Sequence, residues 1–264
     1  MKPTVKDFLA LKGARKAVIT CAFDKYTGRA AELAGMDMVL TWAQELGTLE
    51  ETMFMIQLMR KAMPNTLLAA GIPKRLAYIS EEEAVRCALL AQESGADVIY
   101  SSGMSVKSFE GLAKRSIPCV GHVGYLPVMD TWIGGPRSVG KTVKEATQVF
   151  DQVKAFENAG CIGVEMELVP SQLAEYITNE SKLMTISMGS GPHCDAQFLF
   201  TCDLLGMHDD HYPRHSKQYM DYLKISTDAL KQYKEDVLCG NYPDEKHSIS
   251  MDANVFSEFL EKVQ

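Results

Sequence analysis

Glu165 and Glu167 are the residues whose type and spacing most directly suggest chemistry in this chain. They lie two apart at the end of the apolar run Ile162–Glu167, and in a strand that spacing turns both carboxylates to one face. Carboxylates held side by side repel, one of them resists ionisation, and the pair can divide into a proton donor and a proton acceptor. Glu165 could instead pair with an inward Arg or Lys. His122 directly follows the run Ile117–Gly121 and could either contact a substrate or hold a structural hydrogen bond. His208-Asp209-Asp210-His211, with His215 nearby, has metal-ligand residue types, but it falls outside the strand runs and reads as a solvated loop. Gly189 and Gly191 read as a tight turn that lets backbone approach a ligand.

These residues need a scaffold, and short apolar runs alternating with longer amphipathic segments supply one. Ala17–Ala22, Asp37–Trp42, Thr66–Ala70, Val98–Ser101, Ile117–Gly121, Ile162–Glu167, Leu183–Met188 and Phe198–Cys202 read as strands. Helices are expected over Thr27–Ala34, Glu50–Ala62, Glu81–Glu93, Ser105–Lys114, Thr142–Ala159 and Ser171–Thr178, with a Gly/Pro-rich loop over Tyr125–Gly140. Three glutamates open the helix at Glu81, where they suit the positive end of the helix dipole, and Gly95 follows at its C-cap. Eight strand runs joined by helices predict a single α/β domain over residues 1–264, a (β/α)8 TIM barrel. The barrel should span about 15–206, with a C-terminal helical extension over about 213–264. A doubly wound open sheet is the rival, but no G-x-G-x-x-G opens a helix after the first strand.

Composition narrows the classes further. The chain has 264 residues, 46% hydrophobic and 23% charged, enough for one sizeable core. The formal charge is −7 with no basic stripe, which argues against nucleic acid as a partner. Seven scattered cysteines without a C-x-x-C pair point to a reducing, cytoplasmic setting rather than a disulfide scaffold. Neither a signal-peptide core at Met1-Lys2-Pro3-Thr4-Val5 nor a membrane-length apolar run is expected.

In such barrels the chemistry sits at the C-terminal ends of the strands, and there the chain resembles a known family. Gly189-Ser190-Gly191-Pro192-His193-Cys194-Asp195-Ala196-Gln197, with Asp203-Leu204-Leu205-Gly206, resembles the G-A-G-P-H-C-D-G-Q…D-L-L-G signature of ketopantoate hydroxymethyltransferases. Ile117–Pro127 resembles its I-P-V-M-G-H-I-G-L-T-P, Glu167-Leu168-Val169-Pro170 its E-M-V-P, and Gly240-Asn241-Tyr242-Pro243 with Glu245 and His247 its closing G-x-F-P…E-H. Thr4–Gly13 is similar to its opening T-V-x-D-L-L-x-M-K-G. The resemblance implies a reaction: removal of a proton beside the carbonyl of a 2-keto acid, then transfer of a one-carbon unit from 5,10-methylenetetrahydrofolate as cofactor. It also implies a catalytic glutamate at Glu167, a small-molecule substrate and assembly into a homo-oligomer.

The departures from the family bear on its metal. Its G-D-S-L-G appears as Ala43-Gln44-Glu45-Leu46-Gly47, which sets Gln44 in place of a metal-binding Asp and Glu45 in place of a substrate-binding Ser. Its D-M-P appears as Gly71-Ile72-Pro73, and its K-x-E-G as Ile99-Tyr100-Ser101-Ser102, which sets Ile99 in place of a substrate-binding Lys and Ser101 in place of an acid near the metal. A hard divalent cation wants several oxygen ligands, preferably anionic. Mg2+ is therefore not expected at the family site, and Gln44, Glu45, Gly71, Ile99, Ser101 and His122 stand as substrate-side candidates beside catalytic Glu167 and Glu165. A carbon–carbon lyase or aldolase on the same barrel, and a non-catalytic homologue, remain as alternative functions.

Overall fold

The computed structural model describes residues 2–41, 48–209 and 212–264. Its sheet is a closed barrel in which eight parallel strands follow one another in chain order. The strands are β1 (Ala17–Ala22), β2 (Met38–Thr41), β3 (Leu67–Ala70), β4 (Val98–Tyr100), β5 (Cys119–Gly124), β6 (Gly163–Glu167), β7 (Met184–Met188) and β8 (Ala196–Phe200). Closure is made by β8 pairing with β1, Ala17 opposite Ala196 and Cys21 opposite Phe200.

The helices that cover the barrel are α2 (Lys25–Leu33), α3 (Leu49–Ala62), α5 (Glu81–Glu93), α6 (Val106–Ala113), α8 (Val143–Ala159) and α9 (Ser171–Glu180). Shorter pieces are α1 (Val5–Leu9), α4 (Lys74–Ala77), α7 (Asp130–Ile133) and α10 (Thr201–Leu205). Local chemistry starts the helices: Asp24 accepts from the Tyr26 and Thr27 amides, Ser80 from Glu83 and Thr142 from Glu145, each satisfying amides that the first turn leaves open. The αL residue Gly160 ends α8.

Two apolar layers result. Inside the barrel, Ile19, Met38, Leu67, Val98, Val120, Ile186 and Phe198 fill the interior, joined by Phe8 of α1. Outside, Val39, Leu68, Ile99, Phe109, Val164 and Ile177 pack between strands and helices. Successive strand residues therefore alternate between two buried layers, and both faces of each strand are apolar.

The eighth strand begins two residues earlier than the sequence suggests, at Ala196, and ends at Phe200, because Thr201 already starts α10. β5 runs on to Gly124, three residues past the expected end. The Tyr125–Gly140 segment holds a 3-10 turn at Pro127–Met129 and the short α7. Beyond Gly206 come α11 (Tyr222–Leu238) and α12 (Ala253–Val263), neither of which buries a residue.

Candidate active site

β5 and β6 build the centre of the barrel mouth. Their register sets His122 beside Glu165 and Gly124 beside Glu167. Because Val120, His122, Glu165 and Glu167 share the inward face, the imidazole and both carboxylates converge. His122 Nδ1 lies 3.6 Å from Glu165 Oε2 and 2.6 Å from Ser102 Oγ. His122 Nε2 lies 3.2 Å from Glu167 Oε2 but makes no aligned hydrogen bond, so this contact is electrostatic. Glu165 is only 2% exposed, whereas the Glu167 side chain is 14% exposed and open to the mouth.

Burial sets the electrostatics. It pushes the Glu165 carboxyl above the usual range; the Glu167 charge pushes the same way and His122 opposes. Burial also works against a charged His122, but Glu165 and then Glu167 outweigh it, and the imidazole is held above its ordinary value. The Tyr100 phenol is driven well up, first by burial and then by Glu165.

Backbone devices hold Glu167 in place. Gly124 has φ +92°, and a Cβ there would collide with the Glu167 carbonyl oxygen. Without a side chain at Gly124, the Tyr125 amide can donate to that carbonyl at 2.8 Å. Leu168 has φ +51°, a region costly for a non-glycine residue, and turns the chain directly after Glu167. Ser190, from the glycine-flanked turn, donates to the Met166 carbonyl at 2.6 Å and accepts from the Val169 amide at 3.0 Å. The turn at Gly189–Gly191 thus buttresses the end of β6.

The mouth encloses a cavity of about 120 Å³, sized for a few-carbon acid. Leu40, Pro127, Met188, Phe198 and Phe200 form its apolar wall. Lys74, Tyr100, Ser102, His122, Glu165 and Glu167 form the polar one.

The sequence candidates fare unequally. Glu165, Glu167 and His122 come together. Gln44 and Glu45 lie outside the described residues. Gly71 is buried at the exit of β3 and does not line the cavity. Ile99 packs in the outer layer, and Ser101 turns away from the mouth to accept from the Ile72 amide at 2.8 Å. The mouth-facing pair on this strand and its exit is Tyr100 and Ser102, one residue on. Lys74, directly after Gly71-Ile72-Pro73, escaped sequence reasoning altogether.

The His208 loop is less solvated than its composition suggests. His208 Nε2 lies 3.0 Å from buried Asp203 Oδ1, Ser216 donates to Asp203 Oδ2 at 3.0 Å, and Tyr212 donates to the Asp203 carbonyl. Asp203 thereby pins the segment after the barrel. Asp210 and His211 lie outside the described residues.

The sequence profile of the ketopantoate hydroxymethyltransferase family matches residues 2–245. The chain belongs to that family. It is 35% identical over 263 residues to a 3-methyl-2-oxobutanoate hydroxymethyltransferase of Thermus thermophilus, covering 94% of this chain and 100% of that one. The enzyme of the same name from Staphylothermus marinus is 34% identical over 260 residues, covering 93% and 95%. Among solved structures, a phosphoenolpyruvate phosphomutase from Streptomyces platensis subsp. rosaceus aligns with TM-score 0.59 at 12% identity, covering 99% of this chain and 97% of that one. A 2,3-dimethylmalate lyase, a member of the PEP mutase/isocitrate lyase superfamily, aligns with TM-score 0.58 at 11% identity over 100% of both chains. These two share the barrel fold. The chain is thus a hydroxymethyltransferase-family enzyme.

Family membership corrects the reading of the metal and the cofactor. The family works with a Mg2+ ion, so the expectation of a mouth without one does not stand. The residues present fit a divalent cation. Candidate ligand atoms of His122, Glu165 and Glu167 all lie within 4.8 Å of one another. Two of the three donors are carboxylates, the hard oxygen ligands such an ion prefers, and buried His122 Nε2 lacks a hydrogen-bond partner. The expectation went wrong because it weighed only positions on β2 to β4, whereas this donor set comes from β5 and β6. Methylenetetrahydrofolate is likewise not a cofactor, since a one-carbon donor is consumed and enters as a substrate.

Proposed function

We propose that this enzyme transfers a hydroxymethyl group to the carbon beside the carbonyl of a small 2-keto acid, with Glu167 as the proton-transferring group. The observation that carries the reading is the placement of Glu167: inward at the end of β6, partly open to the cavity, its carbonyl bonded by the Tyr125 amide and the neighbouring Met166 and Val169 backbone held by Ser190. Its carboxylate takes the proton from the acidic carbon, and the carbanion left behind forms the new carbon–carbon bond to the one-carbon unit. A Mg2+ ion, when bound, would be held by oxygens of Glu165 and Glu167 with His122 as a nitrogen donor, and would polarise the keto group. Ser102 orients the His122 ring through Nδ1, and the apolar wall of Phe198, Phe200 and Met188 excludes water from the carbanion. The relatives' name makes 3-methyl-2-oxobutanoate the first substrate to test. Full-length protein with Mg2+ should exchange the hydrogen at its third carbon for solvent deuterium without any one-carbon donor. No exchange with that acid or its shorter and longer homologues would sink the reading.

The assembly we infer is a homo-oligomer. Its support is the exposed apolar surface of α11 and α12, including Phe256 and Phe259, which are 49% and 50% exposed. The chain exposes 15024 Å², against about 11,500 Å² for a compact monomer of its mass. An excess of that order is what an obligate interface buries. Light scattering at micromolar concentration tests this, and a mass of one chain would refute it. The cysteines, all free, support a cytoplasmic setting. No helix among the described residues is long and apolar enough to cross a membrane.

A further inference from the structure

The transfer needs two substrates, and the mouth has room for one. Its cavity of about 120 Å³ takes the keto acid, and His122, Glu165 and Glu167 commit its inner wall to the divalent cation. A carrier large enough to hold a one-carbon unit must therefore sit beside the mouth rather than in it. A second cavity, of about 700 Å³, lies there. The two share His122, and their walls continue through neighbouring residues: Ser102 to Gly103 at the exit of β4, and Pro127 to Leu126 and Val128 after β5.

The walls of this second cavity are held by specific bonds. One wall is a face of α8, with Gln148, Val149, Gln152 and Phe156 at helical spacing. Another is the segment after β5, which supplies Leu126, Met129 and Ile133. Glu145 ties that segment to α8, accepting from the Arg137 guanidinium at 2.8 Å and the Gly140 amide at 3.1 Å. Ser138 and the Val139 amide donate to the Leu168 carbonyl at 2.7 and 3.2 Å and fix the same segment to the exit of β6. The polar groups sit at the rim. Gln148, Asp151 and Gln152 are exposed, and among the described residues none of the three side chains has a hydrogen bond or ion pair. No lysine or arginine among the described residues lines the cavity, so a phosphate-bearing ligand would meet no counter-charge. Two carboxamides and a carboxylate suit a ligand with N–H groups along one edge.

We propose that this cavity seats the one-carbon donor: the reduced pterin ring of methylenetetrahydrofolate lies against Leu126, Met129 and Phe156, its aminopyrimidine edge is bound by Gln148, Asp151 and Gln152, and its one-carbon end reaches the mouth past His122. This rests on the transferase reading above and adds the place and the residues that hold its second substrate. The aminopyrimidine edge offers several N–H donors and one carbonyl. A glutamine amide can answer either, and Asp151 accepts only. The anionic glutamate tail of the carrier finds no cation inside and stays in solvent. Two cavities also let the acid give up its proton with the donor absent, which is the condition of the exchange experiment.

The test is binding of tetrahydrofolate, the carrier without its one-carbon unit. It is measured anaerobically by isothermal titration calorimetry on the full-length protein with Mg2+ present. The wild type should bind it with and without saturating 3-methyl-2-oxobutanoate, because the two occupy different cavities. Gln148→Leu combined with Gln152→Leu should weaken binding about 10- to 100-fold, the worth of two hydrogen bonds. Gln152→Trp fills the cavity from an exposed helix position and should abolish binding. Near-ultraviolet dichroism like that of the wild type shows that each variant is folded. The proposal is overturned by a wild type that does not bind the carrier, by competition between acid and carrier, or by folded variants that bind it as the wild type does. The transferase reading fails differently, by a wild type that binds the carrier yet never exchanges the hydrogen of the acid for deuterium.

Discussion

The barrel and the C-terminal arm use the same kinds of residue to opposite effect. Phe109 in α6 is 1% exposed and meets Phe156 edge-on at a centroid distance of 5.2 Å. Phe259 in α12 is 50% exposed and stacks on Phe256 of its own helix. Both helices are amphipathic, so pattern alone does not distinguish them. The difference is that every helix packed on the barrel faces a sheet with an apolar outer layer, whereas α11 and α12 face no such partner among the described residues. An amphipathic stripe states that a helix must be covered; it does not state by what.

The largest effect expected is inside the barrel. Glu167→Gln keeps the shape of the side chain but removes the base and one anionic oxygen proposed for Mg2+, so deuterium exchange should fall by at least about 10²–10⁴-fold, the usual worth of a positioned general base alone. Unchanged exchange would remove Glu167 from the mechanism and weaken the claim that the barrel alone carries the chemistry.

Stability sharpens the same contrast. Phe109→Ala should cost about 3–5 kcal/mol in a denaturant or thermal melt, through lost transfer energy and the cavity left behind. Phe259→Ala should stay within about 0.5 kcal/mol if the arm is free in solution. A loss approaching that of Phe109→Ala, dependent on protein concentration, would show the arm covered by another subunit.

The arm can also be broken deliberately. Phe256→Asp with Phe259→Asp places charges on the apolar stripe of α12 and should reduce the mass seen by light scattering. The near-ultraviolet dichroism of the barrel should not change. An unaltered mass would place the interface elsewhere.

The smallest effect concerns a cap. Asp24 accepts from the Tyr26 amide at 2.7 Å and the Thr27 amide at 3.0 Å, so Asp24→Ala should cost about 0.5–2 kcal/mol of stability. Exchange activity should stay intact, because the cap lies outside the cavity. A matching loss of activity would tie the start of α2 to the site.

Much of this was legible in residues. The run Ala17–Ala22 is a strand with those same bounds, and Glu81–Glu93 a helix with those same bounds. Ser80 before three glutamates, or Asp24 before Tyr26 and Thr27, specify helix starts by chemistry that acts within one turn. The i, i+2 spacing of Glu165 and Glu167 sufficed to put both carboxylates on one face, since the strand period is two.

What the sequence could not decide is which face of a strand looks inward. In an antiparallel sheet polar and apolar residues alternate and mark the solvent side. Here both layers are buried and apolar, so Val98, Ile99 and Tyr100 give no such mark, and Ile99 and Ser101 were expected at the mouth, one residue before the pair that faces it. Closure of the barrel resolved it, turning Tyr100 and Ser102 to the mouth and Ile99 to the helices. The same closure joined His122 on β5 to Glu165 and Glu167 on β6 and brought Lys74 to the same cavity, 93 residues away from Glu167 in the chain. Local preference and periodicity act over a few residues and determined the elements. The donor set and the cavity it lines exist only where distant strands meet, and that was settled by packing.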